Sequence, residues 1–411
     1  MPGCRHAVGA FSGDNDAWAM VTVRSAGGLT VDPFCVQVAD DVLADLRNRV
    51  QATRWPPPAP GPPWEQGTDL AYLQDLLAYW ADGFSWRAQE AWLNSFDQFR
   101  TELDGSRIHF VHQRARSGGG IPLILTHGWP SSFVEYLPLI PLLTDPAAHG
   151  LDGPGFDVVI PSLPGYGFSV RPARTGVSAR YTAGLWHQLM QGLGYERYGA
   201  HGTDFGSAVS TFMALDDPTP LLGLHLSNLD LAPYTGPGSP ALSDAERVYL
   251  AQFASWEATD RGYGAIQSTR PQTVGYGLND SPAGLAAWVL EKWRAWADSG
   301  GDLDDTFTRD FLLTVVTLYW VTQTITPSMR DYVDNRAARQ LGPDDFVTVP
   351  TAVAVFHQFV DDGTPPREWA QRLYEVVRWT PMPRGGHFAA AETPDLLARD
   401  ITTFFFEVRV D

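Results

Sequence analysis

At 411 residues, with 44% hydrophobic and 18% charged residues, the chain lies far from the composition of disordered proteins. It can bury one large core carrying an insertion. A formal net charge of -18 repels phosphate backbones and anionic lipid surfaces, which disfavours nucleic-acid and membrane partners and leaves small neutral molecules unpenalised.

Residues 1–30 are rich in Gly, Ala, Ser and Asp without a period of 2 or 3.6, and are expected to form a poorly ordered leader. They lack the basic start and apolar run of a signal peptide, and no later stretch has the length of a membrane span. With only Cys4 and Cys35, a soluble protein of the reducing cytoplasm is the expectation. Phe34, Val36 and Val38 alternate as a strand, and Asp40 is placed to cap a helix bearing Val42, Leu43, Leu46 and Val50. Pro56 stops that helix. A proline-rich linker at 56–63 leads into a mostly helical stretch over 64–99, with Leu70, Leu73, Leu77 and Trp80 on one face, and 108–113 returns to strand. An amino-terminal region thus spans 31–115.

Short apolar strands then alternate with helices: strands at 122–126, 157–161, 197–200 and 222–226, helices at 186–192 and 207–215. This is the pattern of a parallel sheet covered on both faces. After Leu226 helical patterns take over, at 244–256, 282–296 and 309–320, and mark an insertion over 230–340. Strands resume at 351–356 and 376–379, and a helix over 393–406 closes the chain, opened by Thr393 as cap and Pro394 in its first turn. The expected fold class is α/β, with a mostly parallel sheet built from 116–229 and 341–411.

Gly202-Thr203-Asp204-Phe205-Gly206 has the Gly-x-nucleophile-x-Gly spacing of a nucleophile elbow, with aspartate where serine is usual. A carboxylate with a reference pKa of about 3.9 is ionised at neutral pH and can attack an electrophilic sp³ carbon without a base, leaving an ester on the enzyme. Alone, the pentapeptide also reads as an ordinary turn; the strand before it and the helix after it favour the elbow. His127-Gly128-Trp129-Pro130 follows the apolar strand at the position of an oxyanion-hole donor. The backbone N–H groups of Trp129 and Phe205 are the candidate pair, aimed at the oxyanion formed when water attacks the ester. Arg384-Gly385-Gly386-His387-Phe388 lies in a glycine-flanked loop after the last strand, which makes His387 the candidate general base. His109, His112, His187 and His201 read as structural or exposed, and the His109/His112 pair lacks a third ligand for a metal.

Taken together, these residues resemble the epoxide hydrolases of the microsomal and juvenile-hormone type and their bacterial relatives, over residues 31–409. The likeness is carried by Thr53-Arg54-Trp55-Pro56, His127-Gly128-Trp129-Pro130, Pro161-Ser162-Leu163-Pro164-Gly165-Tyr166-Gly167-Phe168-Ser169, the elbow, and Arg384-Gly385-Gly386-His387-Phe388-Ala389-Ala390. It implies an α/β-hydrolase fold with a helical cap and an amino-terminal arm that wraps the core or helps close the site. It also implies two cap tyrosines that donate to the epoxide oxygen. Gly262-Tyr263 with Ile266-Gln267 and Pro271 resembles the first tyrosine segment, and Ser328-Met329-Arg330-Asp331-Tyr332 the second. From the residues alone, the choice narrows only to tyrosines in the insertion.

The charge-relay acid departs from the family pattern. Counting three residues from Phe356 reaches Phe359, which cannot ionise. Two extra residues before Trp369 would bring a carboxylate to Asp361, with Asp362 beside it; Asp230 after the preceding strand is the alternative, and Asp361-Asp362 also reads as a solvated turn. The expected partners are an apolar, bulky or aromatic epoxide and water, with no nucleic acid and no membrane anchor; a homo-oligomer is compatible with this reading. No cofactor or metal is implied. A haloalkane dehalogenase would use the same aspartate with Trp129 as a halide donor, but Phe205 offers no side-chain N–H and two tyrosines suit an oxygen leaving group better. A catalytically silent carrier of hydrophobic ligands is the rival from outside enzymology.

Overall fold

The apolar runs at 123–125 and 158–160 are buried on both faces, as strands at the centre of a covered sheet must be. In the computed structural model, which describes residues 23–338, 340–356 and 363–410, they lie in a sheet whose described strands number ten. These are β1 (Val23–Arg24), β2 (Thr30–Phe34), β3 (Gln98–Leu103), β4 (Ser106–Gln113), β5 (Ile121–Thr126), β6 (Phe156–Pro161), β7 (Tyr198–Gly202), β8 (Leu221–Leu226), β9 (Val347–Val355) and β10 (Tyr374–Pro381). Their spatial order is β1-β2-β3-β4-β6-β5-β7-β8-β9-β10. The run from β6 to β10 is parallel throughout, while β1 to β4 add an antiparallel flank that joins at β6. The helices Ala179–Gly192 and Phe205–Asp216 pack together in one layer, and Leu139–Thr144 packs with Pro394–Val410 in another.

Among the described residues, seven helices separate β8 from β9: Asp244–Thr259, Gly262–Thr269, Pro271–Asp280, Pro282–Trp296, Leu303–Thr306, Arg309–Thr322 and Ile325–Ala338. The amino-terminal helices Asp40–Gln51, Leu70–Asp82 and Trp86–Leu93 clasp this insertion. Trp80 Nε1 donates to Thr317 Oγ1 at 3.0 Å, the Tyr79 hydroxyl to Asp310 at 2.8 Å, and Thr68 Oγ1 to Ala287 O at 2.7 Å.

Several local expectations change in the structure. Residues 23–30 form a small hairpin, with Ser25 N donating to Leu29 O at 2.9 Å. Phe34 ends β2, and the alternation does not continue as a strand over 35–38: the N–H groups of Val36 and Val38 go to Asn94 Oδ1 and Glu90 Oε1, each at 2.8 Å. Their side chains are buried all the same, so the period of 2 records burial without a ladder. Asp40 is the first helical residue, with Ala39 at the cap, and its carboxylate pairs with Arg87. The stretch over 64–99 contains two helices and ends in β3, which pairs with β4 around Asp104-Gly105. Both turn residues have positive φ, 47° and 71°, the geometry that makes Asp-Gly a hairpin signal.

Candidate active site

Open α/β sheets gather their chemistry outside the carboxyl ends of the parallel strands, and loops from β5, β7, β8 and β10 meet there. After β7 the chain turns at Asp204, whose φ of 50° and ψ of -129° cost a non-glycine residue on the order of 1–3 kcal/mol. The turn leaves no room beside it. A Cβ on Gly202 would stand 2.1 Å from Gly206 O, and one on Gly206 would stand 1.9 Å from Thr126 O. Hydrogen bonds hold the strained residue: Asp204 N donates to Asn228 Oδ1 at 2.9 Å, and Ser207 Oγ to Asn228 O at 2.7 Å. Asn228 is a supporting residue that sequence reasoning missed, because only the pairing of β7 with β8 brings it beside the elbow.

The β5 loop approaches the same carboxylate. Trp129 N donates to Asp204 Oδ1 at 2.9 Å, and a Cβ on Gly128 would lie 2.2 Å from that oxygen. Just before it, His127 Nε2 accepts from Leu163 N at 3.2 Å, which assigns the ring proton to Nδ1, 3.1 Å from Gly128 O. Burial pushes the His127 pKa down to about 4, so the ring is neutral and ties two loops together.

His387 Nε2 stands 3.6 Å from Asp204 Oδ2. Each of four consecutive amides around it has an acceptor. Gly385 N donates to Asp298 Oδ2 at 2.9 Å, Gly386 N to Glu392 Oε2 at 2.9 Å, His387 N to Trp296 O at 2.9 Å and Phe388 N to Glu392 Oε1 at 2.8 Å. Asp298 N also donates to Glu392 Oε2 at 2.8 Å. Glu392 therefore binds the histidine loop and the end of the helix Pro282–Trp296 with one carboxyl group, a role that its place in the sequence does not reveal. Burial pushes its pKa up to about 7 against the opposing pull of three N–H donors.

Burial pushes the His387 imidazole down to about 4, with the negative charge of Asp230 working against that shift. The ring is neutral at pH 7 and available as a base. Its unfolded value, near 6.5, lies above the folded one, so the unfolded chain binds the extra proton between the two. The stability contributed by this group is complete above about 6.5 and is lost as pH falls through about 4. We expect ester hydrolysis, followed by rapid quench, to keep its rate below pH 6 and to fall on a single protonation near 4. An acid limb near 6.5 would contradict a buried, neutral base.

The insertion supplies the opposite wall. Tyr263 on the helix Gly262–Thr269 and Tyr332 on Ile325–Ala338 have ring centres 5.9 Å apart at 82°. Tyr263 stacks on Trp129 at 5.4 Å, and Tyr332 meets the edges of Trp129 and Phe205 at 5.7 and 5.0 Å. Burial first, and the charge of Asp204 second, hold the Tyr263 phenol above its usual pKa, so it is a protonated donor. A cavity of about 170 Å³ joins Asp204, Tyr263 and Tyr332 to Leu229, Leu250, Phe253, Trp256 and Trp369. A larger groove of about 670 Å³ lies between the linker at 56–63 and the start of Pro282–Trp296, but none of the candidate catalytic residues lines it.

The structure thus brings together Asp204, His387, Tyr263, Tyr332, Trp129 and Phe205. Asp361 and Asp362 lie outside the described residues. Asp230 lines the cavity. Among the described residues, no group of three His, Cys, Asp or Glu side chains is placed to hold a metal, and no helix is long and apolar enough to cross a membrane.

The sheet order, the elbow and the histidine loop define an α/β-hydrolase, and the family described as alpha/beta hydrolase fold matches residues 121–273. The family described as epoxide hydrolase N terminus matches 31–136. Epoxide hydrolase 1 of Sus scrofa is 38% identical over 91% of this chain and 88% of its own length. Among solved structures, the juvenile hormone epoxide hydrolase of the silkworm Bombyx mori superposes with a TM-score of 0.84 at 31% identity, covering 93% of this chain and 95% of that one. The Aspergillus niger epoxide hydrolase gives 0.78 at 31% identity, covering 92% and 96%. The chain belongs to the epoxide hydrolase family, and epoxide hydrolysis is its function.

Proposed function

We propose that the enzyme converts an apolar, bulky or aromatic epoxide to its vicinal diol through an ester on Asp204. The observation that carries this reading is the placement of the Asp204 carboxylate, held by Trp129 N at 2.9 Å through one oxygen and facing His387 Nε2 at 3.6 Å through the other. In the first step a carboxylate oxygen bonds to an epoxide carbon, the ring C–O bond breaks, and Tyr263 and Tyr332 stabilise and protonate the leaving oxygen. In the second, His387 takes a proton from water and the hydroxide adds to the ester carbonyl. The amides of Trp129 and Phe205 stabilise the resulting oxyanion, and collapse releases the diol. Asp361 orients His387 in this scheme. The charge of Asp230 on the imidazole favours that residue as the second assignment. The reading needs no cofactor.

The apolar walls at Leu229, Phe253, Trp256 and Trp369 support the substrate class. The acidic composition supports a protein without nucleic-acid or membrane partners; a cytoplasmic setting is part of the same proposal. Domain limits of 31–115 for the amino-terminal region, 230–340 for the cap, and 116–229 with 341–411 for the core belong to the same proposal.

A single turnover of an aromatic epoxide in ¹⁸O-water tests the scheme. The expected result is unlabelled diol and one ¹⁸O in the carboxyl of Asp204, located by peptide mass spectrometry, because the oxygen given to the product comes from the enzyme. Label in the diol on the first turnover would mean that water attacks the epoxide directly.

A further inference from the structure

The cap helix Ile325–Ala338 is joined to the core by a buried ionic latch that the two-step scheme leaves without a role. Its centre is Arg171, on the loop after β6, with a side chain only 3% exposed. One arm of the guanidinium, Nη1, donates to Pro164 O at 3.2 Å and to Asp331 Oδ1. The other, Nη2, donates to Val177 O at 3.0 Å and to Asp334 Oδ2 at 2.7 Å. Each arm therefore grips one backbone carbonyl of the core loop and one carboxylate of the cap helix. The core answers with its own amides: Gly176 N and Val177 N of the loop donate to the two oxygens of Asp334 at 2.9 and 3.3 Å, and Ala179 N, at the start of the helix Ala179–Gly192, to Asn335 Oδ1 at 2.8 Å. A turn earlier on the same helix, the Tyr166 hydroxyl donates to Ser328 O at 3.3 Å.

A buried ion pair of this kind contributes little net stability, since desolvation cancels much of the attraction; it is better suited to fixing a register. The planar fork of arginine restricts direction as well as distance. The residue after Asp331 is Tyr332, whose ring lies against Phe205 and Trp129. Directed bonds fix the helix along its axis more sharply than apolar packing does, and misplacement of a reacting group by about 1 Å can cost on the order of 10²-fold in rate.

We infer that Arg171 is a positioning residue for epoxide opening: by clamping Asp331 and Asp334 to the core, it sets Tyr332 in place over Asp204. The inference rests on the reading of Tyr332 as a donor to the epoxide oxygen. It predicts an effect confined to the first chemical step. In Arg171→Lys, which keeps a charge but loses the fork, ester formation under single-turnover conditions should slow on the order of 10- to 10²-fold. Hydrolysis of the ester, once formed, should keep its rate. Asp334→Asn, which leaves the Arg171–Asp331 arm intact, should give a smaller loss of the same kind, and it decides the matter if Arg171→Lys does not fold. In a Tyr332→Phe background, Arg171→Lys should slow ester formation no further, because the phenol it positions is gone.

Equal losses in both steps, or losses that multiply when Arg171→Lys and Tyr332→Phe are combined, would overturn the latch while leaving Tyr332 as a donor. Ester formation at full rate in Tyr332→Phe alone would overturn the assignment of Tyr332, and the positioning role with it.

Discussion

Asp204→Ala is expected to fold and to make no diol. The scheme has no other group to form the ester, and removal of a hydrolase nucleophile lowers kcat on the order of 10⁶-fold in a comparable case. The loss is chemical in origin. The backbone strain at φ 50° is common to both side chains. The chief structural cost is the Trp129 N–H, which loses its acceptor at Asp204 Oδ1, a penalty of about 1–3 kcal/mol against a typical domain stability of about 5–15 kcal/mol. The variant should therefore show a native circular dichroism spectrum with a lowered but cooperative melt, and no covalent adduct after incubation with an aromatic epoxide. Diol formation at an appreciable fraction of the wild-type rate by a folded Asp204→Ala protein would mean that water opens the epoxide without the aspartate.

What the sequence revealed and what it concealed follow from how each feature is encoded. The elbow, the His127-Gly128-Trp129-Pro130 run and the His387 loop are contiguous, because each depends on a tight backbone path that only a particular short string allows; a Cβ at Gly128 or Gly206 has no space. The central strands were legible because burial on both faces forces unbroken apolar runs. The flank was harder. At 34–38 the alternation of apolar and polar residues suggested a strand, yet β2 ends at Phe34 and the N–H groups of Val36 and Val38 bond to side chains of Asn94 and Glu90; periodicity carries no information about which acceptor an amide finds. Tyr263 and Tyr332 came from family resemblance; as two of 14 tyrosines on amphipathic helices they look like packing residues until the fold sets them against Trp129. Asn228 and Arg171 escaped detection because partners lie on elements distant in sequence, 163 residues away for the Arg171–Asp334 bond, and such contacts exist only once the chain is folded. Glu392 has near partners, four and six residues away at Phe388 and Gly386, but its bond to Asp298 N spans 94 residues.

His387→Gln should separate the two chemical steps that Asp204→Ala abolishes together. The carboxylate is ionised without help from the imidazole, so the variant still opens the epoxide and becomes esterified. Loss of a general base costs on the order of 10² to 10⁴ in rate, all of it expected in hydrolysis of the ester. The loop itself should persist, since the amides of residues 385–388 are bonded to Asp298, Glu392 and Trp296 and none of these bonds uses the imidazole. Intact-protein mass spectrometry under single-turnover conditions should then show the mass of the enzyme plus that of one substrate, with the adduct on the peptide that contains Asp204. The same measurement locates the acid. An aspartate that orients His387 becomes important only as the imidazolium forms, so its replacement by asparagine should raise the fraction of esterified enzyme at steady state while ester formation continues. Asp361→Asn should do this under the proposed assignment, and a rise for Asp230→Asn alone would transfer the role to the loop after β8. No ester in His387→Gln, despite binding of the epoxide, would show that His387 is needed before the carbon–oxygen bond breaks, and the two-step division of labour would have to be abandoned.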